Sequence, residues 1–141
     1  MTTNYWNVSY VENSTFKKDY EDIRSFLKEI GESLKKESNG LFDYEIQAES
    51  HYLENLGFSN PKLIFYTKGT KNHQKQTTPI YKILSVIFEL NGFSYNTHIN
   101  KYTMKYENTE ELINTIKKDI KSEKIGKILS FLAKNSENEA E

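Results

Sequence analysis

Thr78-Pro79-Ile80-Tyr81-Lys82-Ile83-Leu84-Ser85-Val86-Ile87-Phe88-Glu89-Leu90-Asn91-Gly92 holds the longest apolar-rich stretch of the chain. Ile80, Ile83, Leu84, Ile87 and Phe88 recur at helical spacing. Thr78 reads as an N-cap, and Pro79 then sits at the first helical position, where a missing N–H removes no hydrogen bond. Asn91-Gly92 supplies a stop. The spacing therefore predicts a buried helix here, and the order of the remaining elements is read around it.

Upstream, Gly69 to Thr77 is wholly polar and reads as a loop. Lys62 to Lys68 carries Leu63-Ile64-Phe65-Tyr66, a β-rich run, and Asn60-Pro61 before it marks a turn. Residues 51–60 leave two readings open, since Tyr52, Leu53 and Leu56 fit a single helical turn. From Leu41 to Glu49 the period is two, with Phe42, Tyr44, Ile46 and Ala48 on one face and Asp43, Glu45, Gln47 and Glu49 on the other. A long amphipathic helix precedes this strand. Phe16, Tyr20, Ile23, Phe26, Leu27, Ile30 and Leu34 form its apolar stripe, Asn13-Ser14-Thr15 offers the cap, and Asn39-Gly40 ends it. Asn4 to Val11 alternates through Trp6, Val8 and Tyr10 and reads as a strand.

Downstream, Phe93, Tyr95, Thr97 and Ile99 alternate, as do Tyr102, Met104 and Tyr106. The two sets differ in parity, so a bulge or a hairpin turn lies near Asn100. Asn108 or Thr109 caps a helix that turns Leu112, Ile113, Ile116 and Ile120 inward. Ser122 starts another with Ile125, Ile128, Leu129 and Leu132. Strand, helix, strand, strand, helix, strand spells βαββαβ, the ferredoxin-like order, with helices added at the C-terminus. The expected fold is a single α+β domain over residues 1–134, an antiparallel sheet with helices on one face, followed by a polar, disordered tail at 135–141. Its core should include Phe16, Tyr20, Ile23, Leu27, Ile30, Leu34, Ile80, Ile83, Leu84 and Ile87.

The chain has 141 residues and no cysteine, which excludes disulfides, thiolate metal sites and thiol chemistry. The N-terminus lacks the basic and apolar regions of a signal peptide, and Ile80 to Leu90 is too short to span a bilayer, so a cytoplasmic location and no membrane contact are expected. Charge is unevenly placed. Residues 1–60 hold 11 acids and 6 bases, while residues 61–134 hold 6 acids and 13 bases. Such a split predicts an acidic and a basic surface, provided that folding does not interleave the halves.

Catalytic signatures are not legible. The row Asp43, Glu45, Gln47, Glu49 and His51 has one parity, but members of such a row lie about 7 Å apart on a strand, too far to share a metal unaided. It reads as the wet face of an amphipathic strand. His51, His73 and His98 have no metal-ligand spacing, and no phosphate loop or nucleophile elbow is present. No cofactor and no metal is expected, and an enzyme ranks third among the functional classes.

The first-ranked reading is a non-catalytic binding protein whose partner is another protein, of the inhibitor, immunity or anti-defence type. Its contact residues should be Asp19, Asp22 and Glu29 on the first helix, with Trp6 and Tyr10 as aromatic anchors. Asp22 and Glu29 are seven apart and share a side. The alternative is nucleic-acid or nucleotide binding through Lys62, Lys68, Lys71, His73 and Lys75. The sheet aromatics do not carry that alternative further, because Leu63-Ile64 occupies positions where an RNA-binding signature requires small residues. Lys117, Lys121 and Lys124, with Lys118 and Lys127 nearby, form a second basic feature on the C-terminal helices.

Overall fold

The apolar stripe of the first helix forms as its spacing dictates. A computed structural model describes Tyr5 and residues 16–53, 58–69, 80–89, 92–97 and 103–139. Helix α1 (Phe16–Glu37) buries Ile23, Phe26, Leu27 and Gly31. Tyr20, Ile30 and Leu34 are half-buried beside them. Phe16, expected in the core, is 45% exposed because it begins the helix, although its ring meets Phe88 edge-on at 5.7 Å. The helix ends at the anticipated dipeptide. Asn39 (φ 54°) and Gly40 (φ 80°) turn left-handed, and the Gly40 N–H closes onto the Lys35 carbonyl at 2.8 Å. Of the expected strand Asn4–Val11, only Tyr5 is described, and it is exposed.

Five strands follow: β1 (Phe42–Leu53), β2 (Phe58–Gly69), β3 (Ile80–Glu89), β4 (Gly92–Thr97) and β5 (Met104–Tyr106). Each pairs antiparallel with the next, and the sheet order β1-β2-β3-β4-β5 is a simple meander. Helices α2 (Thr109–Ile120) and α3 (Glu123–Glu139) complete the chain. The α+β class and the antiparallel sheet are as expected. The ferredoxin-like order is not, because its second helix is a strand.

That strand is β3, and a β-bulge explains the misreading. Phe65 pairs with Leu84, but Tyr66 pairs with Lys82, which leaves Ile83 as the extra residue. Ile83 and Leu84 both enter the core, at 2% and 0% exposure. Regular alternation would send neighbours to opposite faces. The bulge thus produces the adjacent inward pair that helical spacing also produces. β3 is a central strand, paired on both sides, and Ser85, Val86 and Phe88 are buried with it. With the extra residue between them, the outward Lys82 and Ser85 are three apart in sequence, a spacing that fits a helix and not a regular strand.

Asn60-Pro61 is likewise strand and not turn. It lies within β2, where Pro61 pairs with Ser50 and the register with β3 starts only at Lys62. Proline brings no N–H to the β3 side. Asn60 compensates: it is buried, and its side-chain amide donates to the Phe88 carbonyl at 2.9 Å. Residues 51–53, left open by sequence, continue β1, and β4 and β5 form a hairpin.

All three helices pack on one face of the sheet. That face contributes Leu63, Phe65, Leu84, Val86, Phe88, Phe93 and Tyr95 to the core, and the helices contribute Ile23, Phe26, Leu27, Leu112, Ile116 and Ile125. Gly31 lets α1 approach β1. A Cβ there would meet the Tyr44 ring at 2.4 Å. The caps of the C-terminal helices fall where sequence placed them. Asn108 Oδ1 accepts from the Glu111 N–H at 2.9 Å, and Ser122 Oγ accepts from the Ile125 N–H at 3.3 Å. α3 runs to Glu139, past Asn135, where the disordered tail was expected to begin. Among the described residues, no helix is long and apolar enough to cross a membrane.

Candidate functional site

The other face of the sheet carries the charged row of β1. The β1–β2 register sets Glu49 opposite Lys62 and Asp43 opposite Lys68, which places Lys68 diagonally across from Glu45, two pairs along. Lys68 Nζ lies 3.2 Å from Glu45 Oε1, and Lys62 Nζ lies 3.9 Å from Glu49 Oε1. Asp43 turns instead towards Lys35 of α1, at 4.0 Å. Gln47 donates to Glu45 Oε2 at 2.7 Å. That hydrogen bond, with Lys68 behind it, holds the Glu45 carboxyl below its ordinary range. The row is therefore a cross-strand charge ladder. Among the described residues, no three metal-ligating side chains come together.

Lys82 of β3 reaches the same region. Burial pushes its ammonium below the usual lysine range, the positive charge of Lys62 adds to the effect, and Glu49 opposes it. Ile64, Ser85 and Ser94 on this face are buried. Ser85 donates to Asn96 Oδ1 at 2.7 Å.

This geometry bears on the basic candidates. Lys62 and Lys68 share a strand face, but each already has a carboxylate partner, which a phosphate would have to displace. Lys71, His73 and Lys75 lie outside the described residues. The C-terminal lysines Lys117, Lys118, Lys121, Lys124 and Lys127 are all exposed. They do not lie on one continuous helix, because α2 ends at Ile120 and α3 starts at Glu123. Lys127 is ion-paired with Glu123 at 3.2 Å.

The acidic candidates sit on α1. Asp22 and Glu29 are exposed and, seven residues apart, share a side of the helix about 10 Å from each other. Neither makes an ion pair among the described residues. Asp19 is half-buried and has an interaction partner. Phe26, four residues after Asp22 and three before Glu29, lies beside them on the helix, and Lys117 of α2 stands over its ring at 6.0 Å. Trp6 and Tyr10 lie outside the described residues.

Two features escaped the sequence reading. Tyr95, 2% exposed, donates its phenol to Asp119 Oδ2 at 2.7 Å and so ties β4 to α2. The second is a cavity of about 410 Å³ between the C-terminal half of α1, the α2–α3 junction and the sheet. Thr67 lines it, and its Oγ1 is buried without a hydrogen-bond partner. The signal available beforehand was parity: Thr67 shares that of Leu63 and Phe65 and is the polar member of an apolar set.

Compared with models of known protein families, with curated proteins and with solved structures, the chain matches none of them.

Proposed function

We propose that this is a non-catalytic binding protein whose target is another protein, of the inhibitor, immunity or anti-defence type. The observation that supports it is how the charged groups are distributed between paired and unpaired states. Lys62 and Lys68 are held by Glu49 and Glu45. Asp22 and Glu29 stand exposed on one side of α1, with no ion pair among the described residues. Unpaired carboxylates on a rigid helix steer encounter with a basic partner surface, while anchoring energy comes from aromatic contacts. Trp6 and Tyr10 remain the aromatic candidates. A basic target site, such as the nucleic-acid groove of an enzyme, suits this arrangement.

A second reading keeps nucleic acid as the ligand, with its support moved from the sheet to the helices. Lys117, Lys118, Lys121 and Lys124 are exposed and carry no ion pair among the described residues. Affinity capture from the native host, with and without nuclease, separates the readings. The first expects a protein that survives nuclease treatment and is depleted when the bait carries Asp22→Lys and Glu29→Lys. Capture that disappears with nuclease supports the second and rejects the first.

A further inference from the structure

We infer that the cavity between α1 and the α2–α3 junction binds a small, uncharged, largely apolar molecule carrying one hydroxyl or carbonyl oxygen. At about 410 Å³ it lies within the range of small-molecule sites. Taking a methylene as roughly the size of a water, about 30 Å³, an occupant has on the order of a dozen carbon atoms. The lining fixes the ligand's character. Phe65 and Ile83 contribute from the sheet, Ile30 and Leu34 from α1, and Ile125 and Leu129 from α3. These side chains favour an apolar body.

Two further observations narrow the class. Thr67 is 2% exposed, and its Oγ1 is one of two buried side-chain polar atoms without a partner among the described residues. Buried hydroxyls are nearly always satisfied, so an unsatisfied one in a cavity lining calls for an oxygen on the occupant. The exposed residues lining the cavity include one charge of each sign, Glu37 and Lys121. The Ser33 hydroxyl already donates to Glu37. Opposite charges select neither an anion nor a cation, which leaves a neutral ligand.

The β3 bulge helps to shape the site. It directs Ile83 inward beside Leu84, so that Ile83 lines the cavity next to Phe65 and Thr67.

The test titrates 1-decanol and decanoate into the full chain and follows amide chemical shifts by NMR. The variants are Thr67→Val, which keeps the shape and removes the hydroxyl, and Leu129→Trp, which takes up part of the cavity. Saturable decanol binding is expected, with the largest shifts around Thr67 and Ile83. Affinity should fall about five-fold in Thr67→Val, the scale of one net hydrogen bond, and it should also fall in Leu129→Trp, whose larger side chain narrows the space. The melting temperature of each variant shows whether it is folded. Three results overturn the proposal: no saturation up to the solubility limit of decanol, equal affinity in folded Thr67→Val, or decanoate binding more tightly than decanol.

Discussion

Substituting Gly31 by alanine sets two effects of known sign against each other. Alanine in a helix interior is favoured over glycine by about 1 kcal/mol, so propensity alone predicts stabilisation. The structure predicts the opposite. The new Cβ would lie 2.4 Å from Cγ and Cδ2 of Tyr44, against roughly 3.5–4.0 Å for an ordinary carbon contact. The ring would have to retreat by about 1 Å. It cannot do so freely, because it is stacked on Phe65 at 5.8 Å with an interplanar angle of 9°, and Phe65 is itself buried. Overpacking of this kind costs about 1–3 kcal/mol. Gly31→Ala should therefore lower stability by about 0–2 kcal/mol once the propensity gain is subtracted. In a Tyr44→Ala background the obstacle is gone, and the same substitution should stabilise by about 1 kcal/mol. The assay is a urea melt of the four proteins of the cycle, read at unchanged m-value. Gly31→Ala stabilising the wild-type background as much as the Tyr44→Ala background would refute the close approach of α1 to β1.

Other predictions rest on separate parts of the molecule. Leu27 is fully buried, so Leu27→Ala should cost about 2–5 kcal/mol in the same melt; a loss below about 0.5 kcal/mol, the scale of a surface change, would contradict the packing of α1. Burial first, and then the hydrogen bond to Asp119, hold the Tyr95 phenol protonated well above its ordinary range. A raised folded value means that its contribution is complete below the unfolded value of about 10 and is lost as pH rises beyond it. Wild type should thus lose more stability than Tyr95→Phe as pH climbs past about 10, and parallel curves would count against the buried pair. Glu45→Gln with Glu49→Gln frees Lys62 and Lys68 from their carboxylates, so weak non-specific duplex binding, followed by fluorescence anisotropy, should strengthen at low salt. Two released lysines should steepen its logarithmic salt slope by about 2, and an unchanged slope would mean that the ladder does not restrain them.

Sequence was most informative where a feature is local. The stripe of α1, its Asn39-Gly40 end and the Asn108 and Ser122 caps depend on residues a few positions apart, and each stands where spacing put it. β1 was legible because one face is apolar and the other charged. β3 was not, since the Ile83 bulge breaks its alternation and sets the outward Lys82 and Ser85 three positions apart instead of two. Pro61 misled for a related reason. Its neighbour Asn60 supplies a side-chain donor to Phe88, a partner 28 residues away, that local reading cannot see. The same distinction holds for the site. The shared side of Asp22 and Glu29 follows from helical spacing alone. The neutralisation of Lys62 and Lys68 depends on strand register, and the cavity depends on where α3 comes to rest on the sheet across from α1.

The most direct test of the proposed function is the association rate of the captured protein target with wild type and with Asp22→Lys/Glu29→Lys, measured across a range of salt concentrations. Asp19 is left in place because it is half-buried and partnered. If α1 is the steering surface, wild-type association slows as salt rises. The variant then associates more slowly at low salt, and the two rates converge at high salt, where screening removes the long-range term. A thermal melt of the variant confirms that the helix is intact. Identical rates for the two proteins at every salt concentration would contradict the assignment of Asp22 and Glu29 to a protein-binding surface.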